Sequence, residues 1–200
     1  MNPADENAEI TGCDESLPGT REMAADRKVG RHFGYRTSVH EAGHCVAGVL
    51  LDMSIEGCSI EFIDGHHGRT WSNGADLEPE TSAESICSAL KPLMAGALHS
   101  ELEEAHAHVC MWLAGAVAEE VFCGELLPGT GHDLQAARSV AALICREVAD
   151  VDAYITFARA QTRKLLSVHA GVVGIADALL EFRTLNRFQI EEIIRNCTHE

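Results

Sequence analysis

Apolar positions recur at helical spacing through most of this chain, and one such stripe, Val39, Ala42, Val46, Val49 and Leu50, predicts a helix over residues 37–52. Thr37 or Ser38 is its candidate cap, since Ser38 followed three residues on by Glu41 has the spacing of a capping box. Partial period-two alternation then runs over residues 54–63, with Cys58, Ile60 and Phe62 on one side, and predicts a strand ending at the Asp64-Gly65 turn. A second strand and a loop are expected within 66–80. Helical patterns return at 82–99, where Pro92 kinks or divides the helix, and at 100–123, whose second half is strongly apolar. Small residues at 114, 115, 116 and 118 in that helix admit another helix at close range. Further helices are predicted from His132 through Val148, at 152–166, at 169–182 and at 188–195, the last entered through a cap and turn at 184–187. The expected fold class is mainly α, a compact helical domain with a small β element and no internal repeat.

Composition changes this picture at the N-terminus. Residues 1–30 are rich in Asp, Glu, Gly and Pro with few large apolar side chains, so they are expected to form a flexible acidic leader, leaving 31–200 as the folded domain. A chain of 200 residues that is 46% hydrophobic can bury one sizeable core. The 31 acidic and 15 basic residues give a formal charge of -16, which argues against nucleic acid or an anionic membrane as partner. The eight cysteines contain no C-x-x-C pair and several sit in apolar helical patterns, so they read as reduced, buried thiols of a cytoplasmic protein. No uninterrupted apolar run reaches about 18 residues, so neither membrane insertion nor a signal peptide is expected.

The candidate chemistry lies in the first helix. His40-Glu41-Ala42-Gly43-His44 is an H-E-x-x-H sequence, which places two imidazoles one turn apart on one face with a carboxylate beside them. Two histidines so spaced can grip one metal ion, and the adjacent Glu41 can act as a base on water. A surface helix with two incidental histidines would explain neither the spacing nor the three polar groups in a helix otherwise built for burial. Downstream carboxylates offer a third ligand. Asp133 opens a helix after a Gly-rich turn and reads either as an N-cap or as an oxygen ligand. Glu119, in the apolar helix, reads either as a solvated edge or as the acceptor that a metal-bound imidazole needs on its other nitrogen, while Glu120 reads as solvated edge. His66 and His67 are expected to be solvated turn residues.

Several segments in one order resemble the peptidase domain of the FtsH family of membrane-bound, ATP-dependent zinc proteases. The resemblance begins at Val39-His40-Glu41-Ala42-Gly43-His44 and resumes at Leu113-Ala114-Gly115-Ala116-Val117-Ala118-Glu119-Glu120-Val121-Phe122-Cys123-Gly124. It continues at Pro128-Gly129-Thr130-Gly131-His132-Asp133-Leu134 and at Ala178-Leu179-Leu180-Glu181-Phe182-Arg183-Thr184-Leu185, covering roughly residues 35–196. It implies a zincin-like helical metallopeptidase domain with Zn2+ as cofactor, His40, His44 and Asp133 as metal ligands, Glu41 as the catalytic base and Glu119 behind the ligands. Ala116 and Thr130 depart from the family pattern, and the chain has neither a G-x-x-x-x-G-K-[ST] phosphate loop nor a membrane anchor.

The leading expectation is therefore a stand-alone zinc-dependent endopeptidase that acts on unfolded or flexible polypeptides without ATP. A homo-oligomer and a separate ATPase partner are the associations that the resemblance suggests. The competing classes are a catalytically idle, zinc-stabilised scaffold or regulatory protein-binding domain, which would keep the ligands but tolerate loss of Glu41, and a metal-free helical interaction module, which would tolerate loss of all four.

Overall fold

The computed structural model describes residues 19–63, 66–72, 75–76, 99–124, 131–145, 147–168 and 170–197. Two compact units are distinguished, residues 1–32 and 33–200, and the second carries the features below. Helix α1 spans Gly19–Leu50, so it begins well before the expected residue 37. The residues after Pro18 are poor in large apolar side chains but rich in Arg, Glu, Met, Ala and Lys, which favour helix without any core to bury. Of the expected leader, residues 1–18 lie outside the described residues. So does most of the expected 82–99 helix.

A four-stranded antiparallel sheet in the order β3-β2-β1-β4 is built from β1 (Ile55–Ile63), β2 (His66–Ser72), β3 (Ala75–Asp76) and β4 (Thr184–Asn186). Cys58 stands opposite Thr70 on one side and Leu185 on the other. The expected face of β1 holds at Cys58 and Ile60, which are buried, and fails at Phe62, which is 61% exposed. A register shift between Ser59 and Phe62 interrupts the alternation there. Strand β4 occupies what the sequence reads as a cap and turn, and it is both: Asn186 and Gln189 exchange backbone-to-side-chain hydrogen bonds of 3.0 and 3.1 Å, a capping box that starts α6 (Arg187–Cys197) as the strand ends.

Helix α2 (His99–Phe122) lies against α3 (Gly131–Ile144) and α4 (Val148–Ser167), while α5 (Gly171–Phe182) packs with α6. The part of α2 up to Leu113, with Val109 and Trp112, joins α3 and α4 in one apolar cluster; the part from Ala114 on, with Val117 and Ala118, joins α1, β1, α5 and α6 in another. Helices α1 and α2 meet through small residues, since a Cβ added at Gly43 would stand 2.6 Å from the Ala114 carbonyl oxygen and 2.7 Å from the Ala118 Cβ. Gly43→Ala is therefore expected to overpack this seam and cost about 1–3 kcal/mol, read as a lower midpoint in urea with an unchanged slope. Glu120, expected at a solvated edge, is paired with Arg159 and with Arg163 at 2.5 Å, both on α4. Among the described residues no single helix is long and apolar enough to cross a membrane.

Candidate metal centre

Helix geometry sets the first two groups. His40 and His44, one turn apart on α1, have ring centroids 4.7 Å apart and planes inclined at 74°. Their Nε2 atoms are 3.0 Å from each other. Asp133, in the first turn of α3, where a negative charge is favoured, places Oδ2 3.0 Å from His40 Nε2 and 3.5 Å from His44 Nε2. The structure thus brings together His40, His44 and Asp133 from two helices as a potential metal-binding triad.

The outer nitrogens of both rings are held. His40 Nδ1 donates to Glu119 Oε1 at 2.6 Å, and His44 Nδ1 donates to the Met111 carbonyl oxygen at 2.8 Å. Both acceptors sit on α2, and Glu119 is fully buried. Protons placed on Nδ1 by these acceptors leave the two Nε2 lone pairs facing each other and the Asp133 carboxylate. Three acceptors converging at 3.0–3.5 Å need a cation between them. Tetrahedral zinc, with bonds of about 2.0–2.1 Å, needs ligand atoms about 3.3 Å apart. The observed triangle has that size, and two imidazole nitrogens with one carboxylate oxygen form a donor set that zinc accepts.

Electrostatics make the same demand. Burial opposes a charge on His40, but hydrogen bonds with Asp133 and Glu119 and the charges of Asp133 and Glu41 outweigh it, pushing its pKa up to about 10. Burial alone would raise Asp133; its hydrogen bonds and charge interactions with His40 and His44 instead hold it well below the usual carboxylate range. A proton on His40 supplies the positive charge that a metal ion would otherwise bring.

Glu41 lies on the neighbouring side of α1, beneath the sheet. It is 5% exposed, and its Oε2 accepts a hydrogen bond from the buried Thr70 hydroxyl at 2.7 Å. Burial raises its pKa, and His40, His44 and the Thr70 hydroxyl oppose that rise. Gly68, with φ +88°, lets β2 come close: a Cβ there would stand 2.5 Å from Glu41 Oε1. On α2, a Cβ at Gly115 would stand 2.5 Å from His40 Nε2 and 2.6 Å from His44 Nε2, so glycine keeps the space beside the ligand atoms open.

Sequence reasoning singled out His40, Glu41, His44, Glu119 and Asp133, and all five lie in this cluster. It did not find Thr70, the Met111 carbonyl, or Arg36, whose guanidinium lies 3.9 Å from Glu119 Oε2. Gly115 was legible only as a small residue for helix packing, and Thr70 fell in the least regular stretch. The side chains of His66 and His67 lie outside the described residues.

The arrangement is consistent with a zincin-like protease motif, H-E-x-x-H with an aspartate from a later helix. Compared with known proteins, the chain matches no family model and no curated protein.

Proposed function

We propose that the protein is a zinc-dependent endopeptidase acting on unfolded or flexible polypeptides, independent of ATP by itself. The observation that carries this reading is the triangle of His40 Nε2, His44 Nε2 and Asp133 Oδ2 with the Glu41 carboxylate fixed beside it by Thr70. The resemblance of the surrounding segments to the FtsH peptidase domain supports it. His40, His44 and Asp133 would hold Zn2+, which when bound acidifies water and polarises a carbonyl. Glu119 and the Met111 carbonyl orient the imidazoles, and Gly115 leaves the approach clear. Glu41 takes a proton from the attacking water and delivers it to the departing amine, a shuttle that a carboxylate raised above its ordinary pKa performs well.

The test is cleavage of an unfolded protein by the zinc-loaded chain, read by product masses, and its loss with a chelator and recovery with added zinc. Cleavage that survives metal removal would sink the reading. The site also predicts an order among carboxylates. Asp133→Asn is expected to weaken zinc retention sharply, whereas Glu119→Gln, which acts through His40, is expected to weaken it about 10–100-fold. Competitive chelator titration checks this, and the reverse order would overturn Asp133 as the third ligand.

One observation favours a second reading, in which zinc staples α1 to α3 in a binding domain without turnover: Glu41 is almost completely buried and already bonded to Thr70. Such a domain would keep its function when Glu41 is replaced.

A further inference from the structure

Glycine is a poor residue for the interior of a helix, because it loses more backbone freedom on folding than any other and brings no side chain to bury. Gly115 is buried inside α2, which runs from His99 to Phe122, and it stands between Ala114 and Ala116. Alanine at 115 would have the highest helix propensity of any residue. Something in the fold or in the site excludes it.

The two glycines where α1 meets α2 answer to different neighbours. A Cβ at Gly43 would stand against the Ala114 carbonyl oxygen and the Ala118 Cβ, so glycine at 43 serves the packing of the two helices. At Gly115 the three atoms nearest an added Cβ all belong to the imidazoles: His40 Nε2 at 2.5 Å, His40 Cε1 at 2.6 Å and His44 Nε2 at 2.6 Å. Real Cβ atoms essentially never come within 3.0 Å of such neighbours, so both rings would have to move. They are the far ends of side chains, not backbone, and the fold can absorb a methyl group by turning them. The site cannot. His40 Nδ1 is held by Glu119 at 2.6 Å and His44 Nδ1 by the Met111 carbonyl at 2.8 Å, and a rotation that carries Nε2 away from the methyl breaks those bonds or swings Nε2 away from Asp133 Oδ2.

We infer that Gly115 is a positioning residue of the metal centre: its missing side chain is what lets His40 Nε2 and His44 Nε2 converge with Asp133 Oδ2, and folding does not require it. The inference rests on the metal-binding part of the endopeptidase reading. It sets helix stability in α2 against the capacity to bind zinc, a conflict that functional sites commonly impose on their scaffolds.

Gly115→Ala separates the two. In chelator, the melting temperature of the variant is expected to stay within a few degrees of wild type, because the gain in helix propensity offsets the displaced rings. Zinc affinity, read by competitive chelator titration, is expected to fall more than about a hundredfold, beyond the loss expected of Glu119→Gln, although no ligand has been changed. Ala116→Gly makes the opposite change one residue on, and it is expected to lower the melting temperature while leaving zinc affinity unchanged. Zinc held by Gly115→Ala as tightly as by wild type overturns the inference, as does an equal loss of affinity in Ala116→Gly. A metal-free Gly115→Ala chain that is unfolded or much less stable overturns it too, by showing that packing requires the glycine. Wild type that takes up no zinc sinks the metal centre and this inference together. Wild type that binds zinc but cleaves no substrate, with zinc lost in Gly115→Ala, supports the inference and overturns the endopeptidase reading alone.

Discussion

Replacing Glu41 with glutamine is expected to lower kcat on an unfolded substrate about a thousandfold while leaving zinc content unchanged. The two halves of this expectation come from different atoms. The three atoms that converge are His40 Nε2, His44 Nε2 and Asp133 Oδ2, and no atom of Glu41 is among them. Glutamine keeps the size of the side chain and an oxygen to accept the Thr70 hydroxyl, which now bonds Glu41 Oε2 at 2.7 Å. It removes only the capacity to take a proton. Metal analysis and melting temperature should therefore match wild type, so that lost activity cannot be blamed on lost structure. Equal cleavage by both proteins would mean that another group supplies the base or that a contaminant does the cutting. No cleavage by either, over a broad panel of unfolded substrates, would favour the zinc-stapled binding domain.

Thr70 offers a companion test through geometry. Thr70→Val removes the hydroxyl from a buried position, leaves Glu41 Oε2 without that donor and frees the carboxylate to turn. It is expected to lower kcat about tenfold with little change in KM, and Thr70→Ser should restore most of the loss. A serine variant as impaired as valine would show that the methyl packing, not the hydroxyl, matters at this position.

The convergence of His40, His44 and Asp133 was legible for unequal reasons. The histidine pair follows from helical spacing alone, because four residues on an α-helix bring side chains to one face. Asp133 lies 93 residues from His40, and no local rule connects the two; the order of motifs along the chain singled it out from Glu119, with modest support from its place after a Gly-rich turn rather than within an apolar helix. Spacing left Glu119 undecided because an apolar helix carrying Glu119 and Glu120 can bury either or neither. Tertiary packing separates them: Glu119 turns inward to His40, while Glu120 is met by Arg159 and Arg163 from α4. The Met111 carbonyl was invisible in principle, since every residue has a carbonyl and the fold selects which one is used. The same limit applies to β4, three residues long, whose strand character comes from its pairing with β1 rather than from its own sequence. The early start of α1 was missed for the opposite reason: propensity decided it locally, whereas the reading relied on the lack of apolar residues to bury.

Removing the metal should change both the stability of the chain and the way that stability depends on pH. Zinc at about a thousandfold excess over its dissociation constant is expected to add about 4 kcal/mol, or about 10 °C in melting temperature for a chain of this size. His44→Ala should abolish the increment because it deletes one of the three converging atoms. In the metal-free chain the proton on His40 does part of the same work. Its pKa is raised from 6.5 to about 10, so its contribution to stability is fully present below pH 6.5 and is lost as pH rises through about 10. The melting temperature of the metal-free chain is therefore expected to fall across that window, relative to the zinc-loaded chain. Zinc must displace the same proton to reach Nε2, so its affinity should rise over the same range. Calorimetric melting at stepped pH, with zinc and with a chelator, checks both trends. A zinc-induced rise of equal size in His44→Ala, or a gap between the two forms that narrows as pH rises from 6.5, would place the ion elsewhere in the molecule.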